Sequence, residues 1–581
     1  MMKIVSPYVT PPSPPQSREL GPQPSNADSV SPSPARDAVH LGPAPPLFNT
    51  AAAADASDEK PAGILAGAAT ALLCTASLAG LASSMMPGMI SLSQSVTGPT
   101  LSTIDKQGAR QLQEMPAPTF TPEQPSADTH IIANVDATET IIEPFATNDL
   151  GQLQRTTANN PGHVTVDVQI ERNAHPLGKG AVGVGLVATS VLPFFLARKL
   201  AKQQKHVAVA LALTAAGVAG SVMVANQLNV AHDGVGRIVS AVADARHPEG
   251  VWSGRREMHM TDGQRSPGAF SESEKVDPQQ LRQFVAQHLK DYPEGNVVVS
   301  LTGHGLMYRH VSGVKGDVFG EMLGQATRDA GRPIDVLVVE SCLAGNLETL
   351  NAIYPSARYA VVSEESISAG AVGRSFEATA KATAGASLTP RELAVKLLES
   401  SKGDRGVETL AVIDLSKLPA LNEAVDRLGA SLVQEVEAGN VDAIRSAVND
   451  TRVYPAEQPS TAKELAVGDL KQLAQNLIKG YAQSTSPNAQ AVRDSAEQVL
   501  DRLDEAVVRS NMTDAYNGQG GVSIQLPGMD VGTLENKSNV LGARGLSSYK
   551  DAKAPQSWRV FVDQMSGKMK PPATAEQKAM R

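Results

Sequence analysis

The stretches "NVVVSLTGHG" (296–305) and "IDVLVVESC" (334–342) constrain this chain most. Each is a nearly unbroken aliphatic and β-branched run of strand length. Runs of that kind, unlike alternating ones, belong to strands buried on both faces of a parallel sheet. Both then stop abruptly, one at Gly-His-Gly and the other at Glu-Ser-Cys. The 38 residues separating His304 from Cys342 leave room for a helical crossover, so the two strands read as parallel neighbours. The expected fold is α/β, with a mostly parallel sheet flanked by helices.

The flanking sequence agrees. "THIIANVDA" (129–137) and "HVTVDVQIE" (163–171) are strand-like on either side of a helical stretch around "NDLGQL", which makes a βαβ start. "VDPQQLRQFVAQHLKDYPEG" (276–295) predicts a helix capped by Asp277, with Pro278 in its first turn and Leu281, Phe284, Val285 and Leu289 on one face. "TPRELAVKLL" opens with a capping box, Thr389 with Glu392. "ETLAVIDL" (408–415) is a further strand candidate, followed by a helix-rich stretch to about residue 510. "GGVSIQLPG" (520–528) is short and β-like.

Residues 1–61 are rich in Pro, Ser and Ala and lack the apolar runs that offset the entropy of ordering, so they read as a disordered leader without a conventional signal peptide. Residues 62–92 carry no charge and are long enough to cross a hydrocarbon core of roughly 30 Å. A second apolar region, 178–231, holds two uncharged runs, 180–197 and 207–231, around a basic connector with Arg198, Lys199, Lys202 and Lys205. It reads as a helical hairpin inserted in the α/β domain, with its connector on the cytoplasmic side. The alternative is buried helices of a soluble protein, because Ala and Gly are only weakly apolar. The leader and the apolar segments together resemble secreted bacterial effectors that act inside a host cell. Residues 566–581 form a tail.

A net charge of −9 argues against a nucleic-acid partner. The chain has two cysteines, Cys74 and Cys342, which excludes a disulfide framework and a cysteine-rich zinc site. A lone cysteine after an apolar strand is commonly inert filler, and a lone histidine is commonly structural. Here a thiol and an imidazole stand at the carboxyl ends of adjacent strands, where open α/β sheets gather their reactive groups. That pairing fits a thiol nucleophile with a histidine acid/base, and the amides of Gly305 and Cys342 fit an oxyanion hole.

"VVVSLTGHG" followed by "VLVVESCLAGN" resembles the two-block signature of clan CD cysteine peptidases, which have a caspase-like fold. The collinear pieces "GRREMHM", "DPQQLRQFVAQHLKDYPEG", "YAVVSEES", "ETLAVIDLSKLPALNEAVDRL", "GGVSIQLP" and "SWRVFVDQM" resemble the clostripain family in particular, over about 129–565. The resemblance implies a cysteine endopeptidase with Cys342 as nucleophile and His304 as general acid/base. It makes Glu340 the specificity carboxylate for Arg or Lys before the scissile bond, where the family usually has Asp, with Glu364 or Glu365 helping to line that pocket. It also implies self-cleavage between His304 and Cys342, at Lys315 or, less favoured, Arg309. Calcium is implied by the resemblance only, since no acidic cluster with calcium-loop spacing is present. The partners expected are peptide or protein substrates and a membrane. The competing reading is a catalytically silent, membrane-inserting scaffold or secreted effector on the same fold.

Overall fold

The computed structural model describes residues 120–566, apart from 173–243 and short stretches at 139–141, 246, 248–249, 273–275, 355, 369, 404–405, 457–465 and 529–551. The leader, the apolar runs 62–92, 180–197 and 207–231, and the tail beyond 566 therefore lie outside the described residues. Among the described residues no helix is long and apolar enough to cross a membrane.

The chain opens with the expected unit: strand β1 (Thr129–Ala137), helix α1 (Glu143–Asn159) and strand β2 (Val164–Arg172), the two strands parallel and in register from Thr129–Val164 to Ala137–Arg172. After the insert come β3 (Gly254–Thr261) and β4 (Gln264–Ser271), an antiparallel pair added to β2. Helix α2 (Pro278–Asp291) starts where the sequence puts it, with the Asp277 carboxylate accepting from the Gln279 amide at 2.9 Å. It leads into β5 (Asn296–Thr302), which lies beside β1.

Beyond β5 a two-residue hairpin, β6 (His310–Val311) with β7 (Val314–Lys315), feeds helix α3 (Gly316–Ala330) and then β8 (Ile334–Glu340). Short helix α4 (Leu347–Ile353) and strand β9 (Ala357–Val362) follow. Next are α5 (Ala371–Ala382), α6 (Pro390–Ser400) with both halves of the Thr389–Glu392 capping box formed, and β10 (Thr409–Asp414). The helix-rich stretch resolves into α7 (Leu418–Glu437), α8 (Asp442–Asn449), β11 (Val453–Tyr454), β12 (Val467–Asp469), α9 (Leu470–Tyr481) and α10 (Ala489–Ala506). Strands β13 (Val507–Met512) and β14 (Ser523–Gln525) and helix α11 (Gln556–Ser566) complete the described chain.

The main sheet runs β13-β10-β9-β8-β5-β1-β2-β3-β4. Its centre, β9 to β2, is parallel, and antiparallel strands flank it on both sides. β14 pairs with β12, and β12 with β11, in a separate small sheet. Alternate residues of the central strands face opposite cores. Val297, Val299, Leu301, Leu337 and Val339 join α2, α3, α7, α10 and α11 on one side. Val298, Val336 and Val338 join α1, α5 and α6 on the other. Burial on both faces is the reason these strands read as continuous apolar runs.

Candidate active site

β5 and β8 are hydrogen-bonded neighbours whose last paired residues are Thr302 and Glu340. His304 and Cys342 each stand two residues past that pair, at the same edge of the sheet. The loops beyond the strands stay joined. The Gly303 amide donates to the Glu340 carbonyl at 3.2 Å, and the Ser341 hydroxyl donates to the Gly303 carbonyl at 3.0 Å. Ser341 Oγ also lies 2.6 Å from Ser312 Oγ and accepts from the Ser312 amide at 3.0 Å. Ser341 and Ser312 are wholly buried, and together they tie the histidine loop to the cysteine loop. Nothing in the sequence marked either serine, because their roles depend on contacts 29 and 38 residues away.

Gly305 closes the approach. A Cβ there would stand 2.6 Å from the Cys342 carbonyl oxygen, 2.7 Å from Ser341 Cβ and 2.9 Å from the Cys342 amide nitrogen, closer than a side chain tolerates. Gly303 is nearly as crowded, by Ser312 and Asp136. In the structure the two glycines make room for the neighbouring loops. The non-glycine residues Met307, Ser312 and Leu343 have φ of 55°, 46° and 60°, so left-handed backbone is concentrated around both reactive ends. The turn after Cys342 is fixed by Leu343 N–H to the Glu365 carbonyl at 3.2 Å, Gly345 N–H to the Ser363 carbonyl at 2.7 Å and Ser523 N–H to the Gly345 carbonyl at 2.9 Å. Asn346 then caps α4 by accepting from the Thr349 amide at 2.9 Å.

Cys342 is half-buried, with its sulfur 3.8 Å from the Ile367 carbonyl. Burial pushes the thiol pKa up; hydrogen bonds with Ile367 and Ser366 oppose the shift, and the Glu365 charge adds to it. The sulfur is therefore protonated at neutral pH and needs a base to become a nucleophile.

Glu340 is 3 % exposed. Its carboxylate accepts from Thr302 Oγ1 at 3.0 Å and, through the other oxygen, from the Ala371 amide at 2.8 Å, so it anchors the start of α5. Asp149, on the inward face of α1, has its carboxyl pKa raised well above the ordinary range by burial and then by the Glu340 charge, with Arg374 opposing. This second acid escaped the sequence reading, although it falls in helical step with core residues Ala146, Leu150 and Leu153.

The expectation that Glu364 or Glu365 lines a substrate pocket is corrected. Glu364 is 0 % exposed, accepts from the Gly521 amide at 2.9 Å and is pushed well up in pKa by burial and then by Asp469. Glu365 accepts from the Ser366 and Ala456 amides, both at 2.7 Å, and from Tyr516 Oη at 3.1 Å. Both fasten distant segments beneath the nucleophile turn. Lys315 ends the β6–β7 hairpin, and the next amide, Gly316 N–H, donates to the Arg309 carbonyl at 3.0 Å. Arg309 itself is 3 % exposed. Among the described residues no group of three or more His, Cys, Asp or Glu is placed to hold a metal ion.

The sequence model of the clostripain family matches residues 255–536, which include both reactive strand ends. No curated protein matches. Among solved structures, the chain is similar to an inactive zymogen C11 protease from Parabacteroides distasonis, at 13 % identity over 74 % of this chain and 99 % of that one, with a TM-score of 0.41. It is also similar to a secreted C11 cysteine protease from Bacteroides thetaiotaomicron bound to an irreversible peptide inhibitor, at 13 % identity over 73 % and 99 %, with a TM-score of 0.42. Residues 255–536 of the chain are thus similar to the clostripain family of cysteine peptidases.

Proposed function

We propose that Cys342 and His304 are the catalytic pair of a membrane-associated endopeptidase that cuts after Lys or Arg. The observation that carries this reading is the matched position of the two residues, each two steps beyond the Thr302–Glu340 pair, with Gly305 packed on the Cys342 backbone. His304 takes the thiol proton, and the sulfur attacks the substrate carbonyl carbon. The electron pair moves to the carbonyl oxygen, which the Gly305 and Cys342 amides face as the oxyanion hole. Collapse expels the amine, which receives its proton from His304, and water then hydrolyses the acyl-enzyme. A lysyl acyloxymethyl ketone tests the pair directly: it labels the wild-type chain and leaves Cys342→Ala unlabelled. Equal labelling of both, or of neither under reducing conditions, counts against the reading.

Glu340 supplies the charge for a basic side chain. A carboxylate oxygen accepts two bonds, so Glu340 can keep Thr302 and Ala371 and still meet a cation. The neighbouring Asp149 ionises more readily once a cation arrives. Glu340→Gln is expected to lower kcat/KM for lysyl and arginyl peptides by about tenfold or more. Peptides with a neutral residue at that position change little; an equal loss on both classes would assign Glu340 only to anchoring α5.

Self-processing between the two catalytic residues belongs to the same proposal, at Lys315, and requires the β6–β7 hairpin to open. Incubated full-length chain is expected to yield two fragments, and both Lys315→Ala and Cys342→Ala to stay whole on denaturing gels. Processing of Lys315→Ala at an unchanged position would remove Lys315 from the account.

A further inference from the structure

We infer that the sheet edge carrying His304 and Cys342 lies against a lipid bilayer, so that the substrates are Lys or Arg bonds close to a membrane surface. The inference rests on the membrane association proposed above and adds an orientation to it. Its first support is topological. β2 runs parallel to β1, β5 and β8, so its last residue, Arg172, stands at the same edge as Thr302 and Glu340. Neighbouring strands lie about 4.8 Å apart. In the order β8-β5-β1-β2, that puts Arg172 roughly 10–14 Å along the edge from the reactive ends.

The chain leaves at Arg172 into residues 173–243, which contain the two apolar runs, and is back at Asp244. Departure and return are locked together. Arg172 Nη1 donates to the Asp244 carboxylate inside the protein, and Nη2 donates to Thr147 Oγ1 at 3.0 Å. The Trp252 ring centroid is 4.2 Å from the Arg172 guanidinium carbon, and Gly254 pairs with Arg172 across the sheet. The residues between Arg172 and the first apolar run, 173–179, span at most roughly 25 Å even when fully extended. A run that enters lipid from residue 180 therefore keeps this edge within that distance of the bilayer.

The second support is independent of the insert. Among the described residues the exposed large apolar side chains are Phe145, Val251, Phe270 and Val560, at 46, 42, 51 and 39 %. The first three lie near the Arg172 clamp along the chain or across the sheet. Phe145 is in the first turn of α1, two residues before Thr147, and Val251 precedes Trp252. Phe270 lies one residue from the end of β4, opposite Arg256. The Arg256 guanidinium sits 5.0 Å from the Phe270 ring and 5.2 Å from Trp252. Apolar and aromatic side chains interleaved with arginine suit the interfacial layer of a bilayer, where the rings enter and the cations stay at the headgroups. Facing water, such a clustered patch is a liability.

The test uses full-length chain on vesicles of phosphatidylcholine and phosphatidylserine containing headgroup-nitroxide lipid. A fluorophore is placed at Phe270→Cys on this edge or at Glu294→Cys on the opposite edge, each in a Cys74→Ser/Cys342→Ala background. The orientation predicts co-flotation with the vesicles and at least threefold stronger quenching at 270 than at 294. Flotation with equal quenching, or stronger quenching at 294, overturns the orientation and leaves membrane association standing; failure to float overturns both. In the active chain, Phe145→Asp with Phe270→Asp should slow cleavage of a lipid-anchored lysyl peptide at least tenfold and leave the free peptide unchanged. Equal rates on the anchored peptide, with or without the two changes, would also overturn it.

Discussion

Replacing Cys342 by Ala is expected to lower kcat/KM for lysyl and arginyl peptides by about 10³-fold or more, the scale at which loss of a covalent nucleophile is felt. The fold survives. In the structure the sulfur meets the Ile367 carbonyl, at 3.8 Å, and Ser366, while the turn is held by the backbone bonds of Leu343 and Gly345. Circular dichroism and the thermal midpoint of Cys342→Ala should therefore match wild type. The sign of the pH dependence follows from the environment of the thiol. Burial raises its pKa, so the thiolate is the minor species at neutral pH and grows as pH rises. Alkylation of Cys342 by iodoacetamide should accelerate about tenfold per pH unit through neutrality and keep rising past the ordinary thiol range. In His304→Ala that alkylation rises in the same direction, while peptide hydrolysis is lost. A rate that is already flat at pH 6–7 would mean a stabilised thiolate and a different mode of activation.

What was legible in the sequence was what local chemistry decides. β5 and β8 declared themselves because burial on both faces demands continuous apolar residues, and their parallel pairing followed from the length of the crossover. Asp277, Thr389 and Glu392 announced helix starts because capping is settled within three residues. The details of the site were not local. Ser341 means nothing until Ser312 and Gly303 are folded onto it. Glu364 and Glu365 look like a solvated strand end, and become buried anchors only when Gly521, Ala456 and Tyr516 arrive from later parts of the chain. Asp149 was lost for the same reason: its significance lies in the Glu340 charge at the end of β8, not in its own helix. Lys315 likewise reads only as a basic residue before a glycine, and the pairing of His310 with Lys315 and Val311 with Val314 is what places it in a hairpin.

Gly305→Ala is the sharpest test of the joined loops. The added methyl would meet the Cys342 carbonyl oxygen, Ser341 Cβ and the Cys342 amide nitrogen at 2.6, 2.7 and 2.9 Å. None of these is the free end of a flexible side chain, and two are backbone atoms, so the histidine loop must move off the cysteine loop by several tenths of an ångström. Overpacking of this kind costs about 1–3 kcal/mol, and the thermal midpoint falls accordingly. The larger effect is on turnover. Displacement by a fraction of the 1 Å that costs about 10²-fold elsewhere separates base from nucleophile and opens the oxyanion hole in the same movement, so kcat should drop by about 10²-fold with KM little changed. A control separates this from general damage. Gly331, at the far end of α3, has open space at its Cβ position, and Gly331→Ala loses stability only through its left-handed φ of 74°. If both variants lose activity in proportion to stability, the contact between Gly305 and Cys342 is packing alone. If Gly305→Ala loses far more activity than Gly331→Ala at matched stability, that contact sets the distance between imidazole and thiol.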